Sequence, residues 1–168
     1  LVTNNLFRSL LYILYTMLRS IVNCSKKITS GFKLKIHNRS LYNGILYTKN
    51  HETIQFINEN EIKIGISDYA KETLTEIVYT DMYDIDTEYE KDDTICILES
   101  IKAVAEVHTP FDGTIINHNQ DLLDEIEKIN KLDEKNSWLI KYKLLNDINI
   151  KDFELFEHKT YLEFLKSI

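Results

Sequence analysis

From Glu52 onward the chain alternates apolar and polar residues in short runs, the period-2 signature of half-buried strands. Ile62, Ile64 and Ile66 against Lys63 and Gly65 form the cleanest run, and Thr53 to Ile57 pairs with it across a polar turn at Asn58 to Glu61. Ser67 then offers a helix N-cap with Asp68 in the first turn, which predicts a short helix over Asp68 to Leu74. A strand over Ile77 to Met82 follows. An acidic connection from Asp84 to Asp93 leads into two β-rich runs, Thr94 to Glu99 and Val104 to Thr109. Only Ser100 to Ala103 separates them, which predicts a hairpin; Ser-Ile-Lys-Ala holds no Gly, Asn or Pro, and a type I turn tolerates such residues. Pro110 and an Asp112-Gly113 turn, where Gly113 is expected to supply a positive φ, end the second strand and lead into Thr114 to Asn117. Helical spacing over Leu122 to Ile129 and a last strand over Trp138 to Leu144 come next. Phe153, Phe156, Tyr161, Phe164 and Leu165 then mark an amphipathic C-terminal helical segment. Together these predict a mainly β fold, a flattened β-barrel or sandwich with short peripheral helices.

Ahead of this body, Leu6 to Val22 reads as a helix with Arg8, Tyr12, Tyr15 and Arg19 along one side and an apolar remainder. Its uncharged run from Ser9 to Leu18 is half of the ~20 residues that span a bilayer, so no stable membrane insertion is expected. Charge sharpens the division. No Asp or Glu precedes Glu52, while eight Lys and Arg do, so all 27 acids meet only the other 12 of the 20 basic residues, a net of −15. A basic, hydroxylated, acid-free N-terminus is the composition of an organelle-targeting leader, assigned to residues 1–44, with residues 45–168 as the folded domain. The mitochondrial matrix is the expected destination and a plastid the alternative. An acidic body with few Arg excludes nucleic acid as a partner. Cys24 and Cys96, like the histidines, lack ligand spacing, so no metal site is expected, and His51, His108, His118 and His158 read as surface or packing residues.

The chemistry lies in the hairpin. Glu99-Ser-Ile-Lys102-Ala, followed by Glu106, Pro110 and Gly113, resembles the lipoyl-attachment motif of glycine cleavage H proteins, Glu-Ser-Val-Lys-Ala with an acidic residue, a Pro and a Gly beyond. The likeness runs from about Leu46 to Leu165. Tyr47 to Glu52 resembles the family's His-Glu entry, Gly65-Ile-Ser-Asp-Tyr-Ala70 its Gly-Ile-Thr-x-x-Ala signature, and Trp138-Leu-Ile-Lys its closing strand. Four positions depart from the pattern. Thr53 replaces an aromatic, Thr75 and Ser137 each replace a Gly, and Asp81 to Asp86 replaces a Glu-Leu-Pro-x-x-Gly loop.

The resemblance implies a fold of lipoyl-domain type with lipoic acid in amide linkage to Lys102. It implies recognition of Glu99 and Gly113 by the lipoylating enzyme, and contacts from Glu52 and Glu106 to the loaded arm. It further implies a carrier, not itself an enzyme, that passes the aminomethyl group of glycine from glycine decarboxylase to an aminomethyltransferase and is reoxidised by dihydrolipoyl dehydrogenase. A surface Lys taken alone is ordinarily just a solvated charge, so the surrounding motif is what singles out Lys102.

Three other readings compete. The lipoyl module of a 2-oxoacid dehydrogenase complex is normally tethered by a Pro/Ala-rich linker, and this chain holds one Pro. Biotin carriers usually set their lysine between methionines, whereas Lys102 lies between Ile101 and Ala103. A lipoate donor or adaptor with the same fold would need the same modified lysine.

Overall fold

A computed structural model of the chain describes residues 44–168. Apart from Gly44, the leader assigned to residues 1–44, with its helix over Leu6 to Val22 and Cys24, lies outside the described residues.

The strand pattern becomes two antiparallel sheets. Alternation in β2 (Glu52–Phe56) and β3 (Glu61–Ile66) sends Ile54, Ile62 and Ile64 to one face, where all three are fully buried. Their register sets Ile54 opposite Ile64 and Gln55 opposite Lys63. β9 (Trp138–Leu144) pairs with β3, and β8 (Gly113–His118) pairs with β9. Three two-residue strands complete this seven-stranded sheet, in the order β10-β1-β2-β3-β9-β8-β5: β1 (Leu46–Tyr47), β5 (Glu88–Tyr89) and β10 (Phe156–Glu157). The second sheet has three strands, with β6 (Thr94–Ser100) between β4 (Ile77–Met82) and β7 (Val104–His108). Ile77, Ile95, Leu98 and Val107 of the small sheet join Ile54, Ile64, Ile115 and Ile140 of the large one in a shared core, the arrangement of an open sandwich.

The local signals at the helix ends are of two kinds. Ser67 caps α1 (Asp68–Leu74), its hydroxyl accepting from the Ala70 amide at 3.1 Å. At the other end Thr75 holds φ 70°, a conformation a β-branched residue rarely adopts, at a position where the pattern that the sequence resembles carries glycine. Asp86, at φ 62°, takes the place of the loop glycine in the same way, and Asp tolerates that region better.

Three expectations change. The single helix over Leu122 to Ile129 is two pieces, α2 (Gln120–Asp124) and a 3-10 turn (Ile126–Asn130), divided by Glu125 at φ −142°. The break lets both Leu122 and Ile129 bury against the core. β9 is not the last strand, because β10 follows it and pairs with β1. The C-terminal segment is accordingly not continuous helix. Phe153 packs on Phe111, Phe156 lies in β10, and only α3 (His158–Leu165) is α-helical, placing Tyr161 in a stack on Tyr47 with ring centroids 4.2 Å apart. Among the described residues no helix is long and apolar enough to cross a membrane.

Candidate functional site

The β6–β7 hairpin is anchored at its base and bare at its tip. Leu98 and Val107 are buried, each contributing roughly 1.5–3 kcal/mol of burial. Ile101 and Val104, beside the tip, are 69% and 65% exposed. Between them Lys102 projects into solvent, and among the described residues nothing bonds to its Nζ.

Ser100 supplies the turn chemistry that Gly, Asn or Pro would otherwise provide. Its hydroxyl accepts from the amides of Lys102 at 3.2 Å and Ala103 at 3.0 Å and donates to the Ala103 carbonyl at 3.0 Å. The Ser100 amide also donates to that carbonyl, at 2.8 Å. From the neighbouring strand side, the Glu76 carbonyl accepts from the Ile101 amide at 3.2 Å. The backbone that carries Lys102 is therefore fixed while its side chain is free. Neither Ser100 nor Glu76 was among the expected site residues. The signal for Ser100 was the serine two places before the lysine, since a Ser hydroxyl can close a turn on amides two and three residues ahead.

Glu99 occupies the middle strand of the small sheet, exposed, with Tyr79 opposite on one side and Val104 on the other. Tyr79 is itself exposed, so Glu99 is one carboxylate set in an apolar surface row beside the tip. Gly113 lies elsewhere: it is buried at the start of β8, beyond the far end of β7 from Lys102. Its φ is not positive, which corrects the turn-glycine reading. A Cβ there would overlap the Tyr142 ring and the Lys143 carbonyl oxygen, so the absence of a side chain serves close packing between β8 and β9.

Glu52 and Glu106 meet around a residue that sequence reasoning gave no special role. Glu52 is only 2% exposed, not the solvated carboxylate its residue type suggests. One oxygen takes the Thr48 hydroxyl, and the other accepts from the His108 backbone amide at 3.1 Å. The His108 ring then spans the two acids, with Nδ1 at 3.4 Å from Glu52 Oε1 and Nε2 at 3.4 Å from Glu106 Oε2. Glu106 is exposed and accepts from the Thr94 hydroxyl at 3.2 Å. It sits two residues into β7 from Val104, about 7 Å of strand. The structure thus brings Glu52 of β2 together with His108 and Glu106 of β7, the strand that leaves the tip, and it sets Gly113 apart from them.

Among the described residues the other three histidines make structural bonds. His51 Nδ1 lies 2.8 Å from the Tyr161 hydroxyl, His158 Nδ1 lies 3.1 Å from the Tyr47 hydroxyl, and His118 Nε2 lies 2.9 Å from the Tyr83 carbonyl. Burial lowers the His51 pKa, against the pull of the neighbouring Glu52 charge. An amide-linked prosthetic group fits the tip. The amine is accessible and unpaired, the turn beneath it is rigid, and the flanking Ile101 and Val104 surfaces suit an apolar arm.

Comparison with known proteins finds relatives of one kind. The family model for the glycine cleavage H-protein matches residues 45–168. The "Probable glycine cleavage system H protein" of Pyrococcus furiosus is 38% identical over 126 residues, covering 74% of this chain and 92% of that protein. The glycine cleavage system H protein of Thermotoga maritima is 35% identical over 118 residues, covering 70% and 93%. Among solved structures, a glycine cleavage system H protein from Mycobacterium marinum superposes with a TM-score of 0.64 at 19% identity, covering 75% of this chain and 98% of that one, which speaks for the fold.

Proposed function

The chain belongs to the glycine cleavage H-protein family, the lipoate-bearing carriers of the glycine cleavage system, and from that premise we propose that Lys102 is the residue on which it holds its lipoyl group. The observation that carries this is the unpaired, solvent-projecting lysine on a turn closed by Ser100. When attached, the lipoyl group supplies a dithiolane able to take up and release the aminomethyl unit. The chain's own residues present and steady it. Ser100 fixes the backbone from which the arm leaves. Amide formation removes a proton from the amine, and among the described residues no carboxylate or histidine is bonded to Lys102 to take it, so the base for acylation comes from the lipoylating enzyme.

Glu99, in its apolar surface row, is the feature that this enzyme reads, while Gly113 contributes through the packing of β8 on β9. Glu106 is the exposed carboxylate available to a cationic load, and Glu52 acts behind it through His108. The chain performs no bond-making step: glycine decarboxylase, aminomethyltransferase and dihydrolipoyl dehydrogenase do so in turn. The acid-free segment before Glu52 supports delivery to the mitochondrial matrix, with a plastid as alternative, and sequencing the N-terminus of protein purified from its organelle tests this.

Reconstitution tests the carrier role. Lipoylated protein mixed with glycine decarboxylase should support glycine-dependent CO₂ exchange. Lys102→Arg should abolish it while shifting stability by less than ~0.5 kcal/mol, as expected at an exposed site. Exchange that survives Lys102→Arg would exclude Lys102 as the attachment residue.

A further inference from the structure

On the opposite side of the sandwich from the hairpin, the outer face of the large sheet gathers positive charge in a chain otherwise short of it. Gln55, Lys63, Lys141 and Asn117 stand in register across β2, β3, β9 and β8, alternating with the buried Ile62, Ile64, Ile140 and Tyr142. Lys143 follows on the same face, and the backbone of Lys135 borders it, its carbonyl accepting from the Gln55 amide at 3.3 Å. Three of the 12 Lys in a body of 27 acids thus stand in register on one surface.

Lys63 and Lys141 are direct cross-strand partners, an arrangement in which like charges repel. Both ammonium groups also lie over the Trp138 ring, at 5.0 Å and 5.3 Å from its centroid. Among the described residues neither forms an ion pair. The acid in register on this face is Glu61, opposite Lys143, and its carboxylate takes the Asn58 amide at 2.9 Å. Burial, and then the Lys141 charge, lowers the Lys63 pKa.

We propose that this face, centred on Lys63, Trp138 and Lys141, docks a carboxylate-rich surface of a partner protein. Charge complementarity selects the occupant. Incoming carboxylates would pair with two ammonium groups that have no ion-pair partner among the described residues, and the exposed part of Trp138 gives the partner protein an aromatic contact beside the charges. A second copy could offer its acidic Asp84 to Asp93 connection, but each body carries a net −15 from Glu52 onward, and that repulsion opposes self-association. Because the face points away from the hairpin, a partner seated there leaves Lys102 free. The inference rests on the carrier reading only for the choice of partners to try.

The test uses the full chain carrying Lys102→Arg, so that no arm contributes to binding. Its affinity for each of the three enzymes of the system is measured at about 50 and about 300 mM salt, where screening differs. For one of them, binding should weaken with salt, fall about tenfold or more with Lys63→Glu plus Lys141→Glu, and fall severalfold with the milder Lys63→Gln plus Lys141→Gln. Lys159→Glu, exposed on α3, should leave it unchanged. Equal affinities for wild-type and both double variants, no binding to any of the three, or an equal loss in Lys159→Glu would overturn the proposal. Salt-sensitive dimers in sedimentation that vanish in the double variants would overturn it in favour of a second copy. None of these readouts depends on whether Lys102 is lipoylated, which intact mass reports separately.

Discussion

One hydroxyl does for the hairpin tip what a turn glycine does elsewhere. Ser100 accepts two amides and donates to one carbonyl, so removing its hydroxyl leaves the Lys102 and Ala103 amides without that acceptor, while the Ser100 amide still bonds the Ala103 carbonyl. Ser100→Ala should cost about 1 kcal/mol in urea unfolding. It should also slow lipoyl transfer to Lys102 severalfold, with Ser100→Thr restoring the rate. An unchanged transfer rate in the alanine variant would show that the enzyme orders the tip itself. At this scale the sequence showed what is contiguous. Glu99 and Lys102 stand three residues apart in a recognisable motif, so their neighbourhood could be read directly. The contact between Glu52 and the His108 amide joins residues 56 apart through two sheets, and no local pattern announces it. Gly113 was visible as a glycine but not for its reason, since the neighbours that exclude a side chain, Tyr142 and Lys143, come from another strand.

Elements with a full period were legible, and those without were not. β4 and α1 lie where alternation and the Ser67 cap place them, and the hairpin falls between the two predicted runs. β1, β5 and β10 are two residues each, too short for any periodicity, and they exist because a neighbouring strand offers an edge. The division at Glu125 has no Gly or Pro to mark it and follows from core packing. Thr75 shows the reverse, a local rule broken for the sake of the element. A β-branched residue at φ 70° closes α1, its amide bonding the Lys71 carbonyl at 2.9 Å. Thr75→Gly should relieve the strain and raise stability by about 1 kcal/mol, read as a higher denaturation midpoint at unchanged slope. A loss of stability would mean that the Thr75 side chain contributes more than its backbone costs.

Over the whole molecule, buried weak acids set the behaviour at high pH. Burial pushes the Cys96 thiol from 9.0 up to about 12, and the Tyr142 and Tyr161 hydroxyls from 10.0 up to about 12. Each folded value exceeds its unfolded one, so the folded state holds these protons longer. Their stabilisation is complete below the unfolded values and is lost as pH climbs through the folded ones. Thermal stability should therefore begin to fall from about pH 9 and drop steeply toward 12, and Cys96→Ala should delay the onset toward pH 10. A flat profile across that window would contradict the burial of these groups. Lys63 works in the opposite sense, because its lowered pKa makes the unfolded chain bind its proton more tightly and adds a small gain in stability as pH rises toward 10.5.

Everything about function converges on one amine, and mass spectrometry of the protein isolated from its own cells addresses it directly. Peptide mapping should find the segment holding Glu99 to Ala103 with a lipoyl amide on Lys102 and no other lysine so modified. Recovery of that peptide with Lys102 unmodified, or of the lipoyl group on a different lysine, would contradict the account.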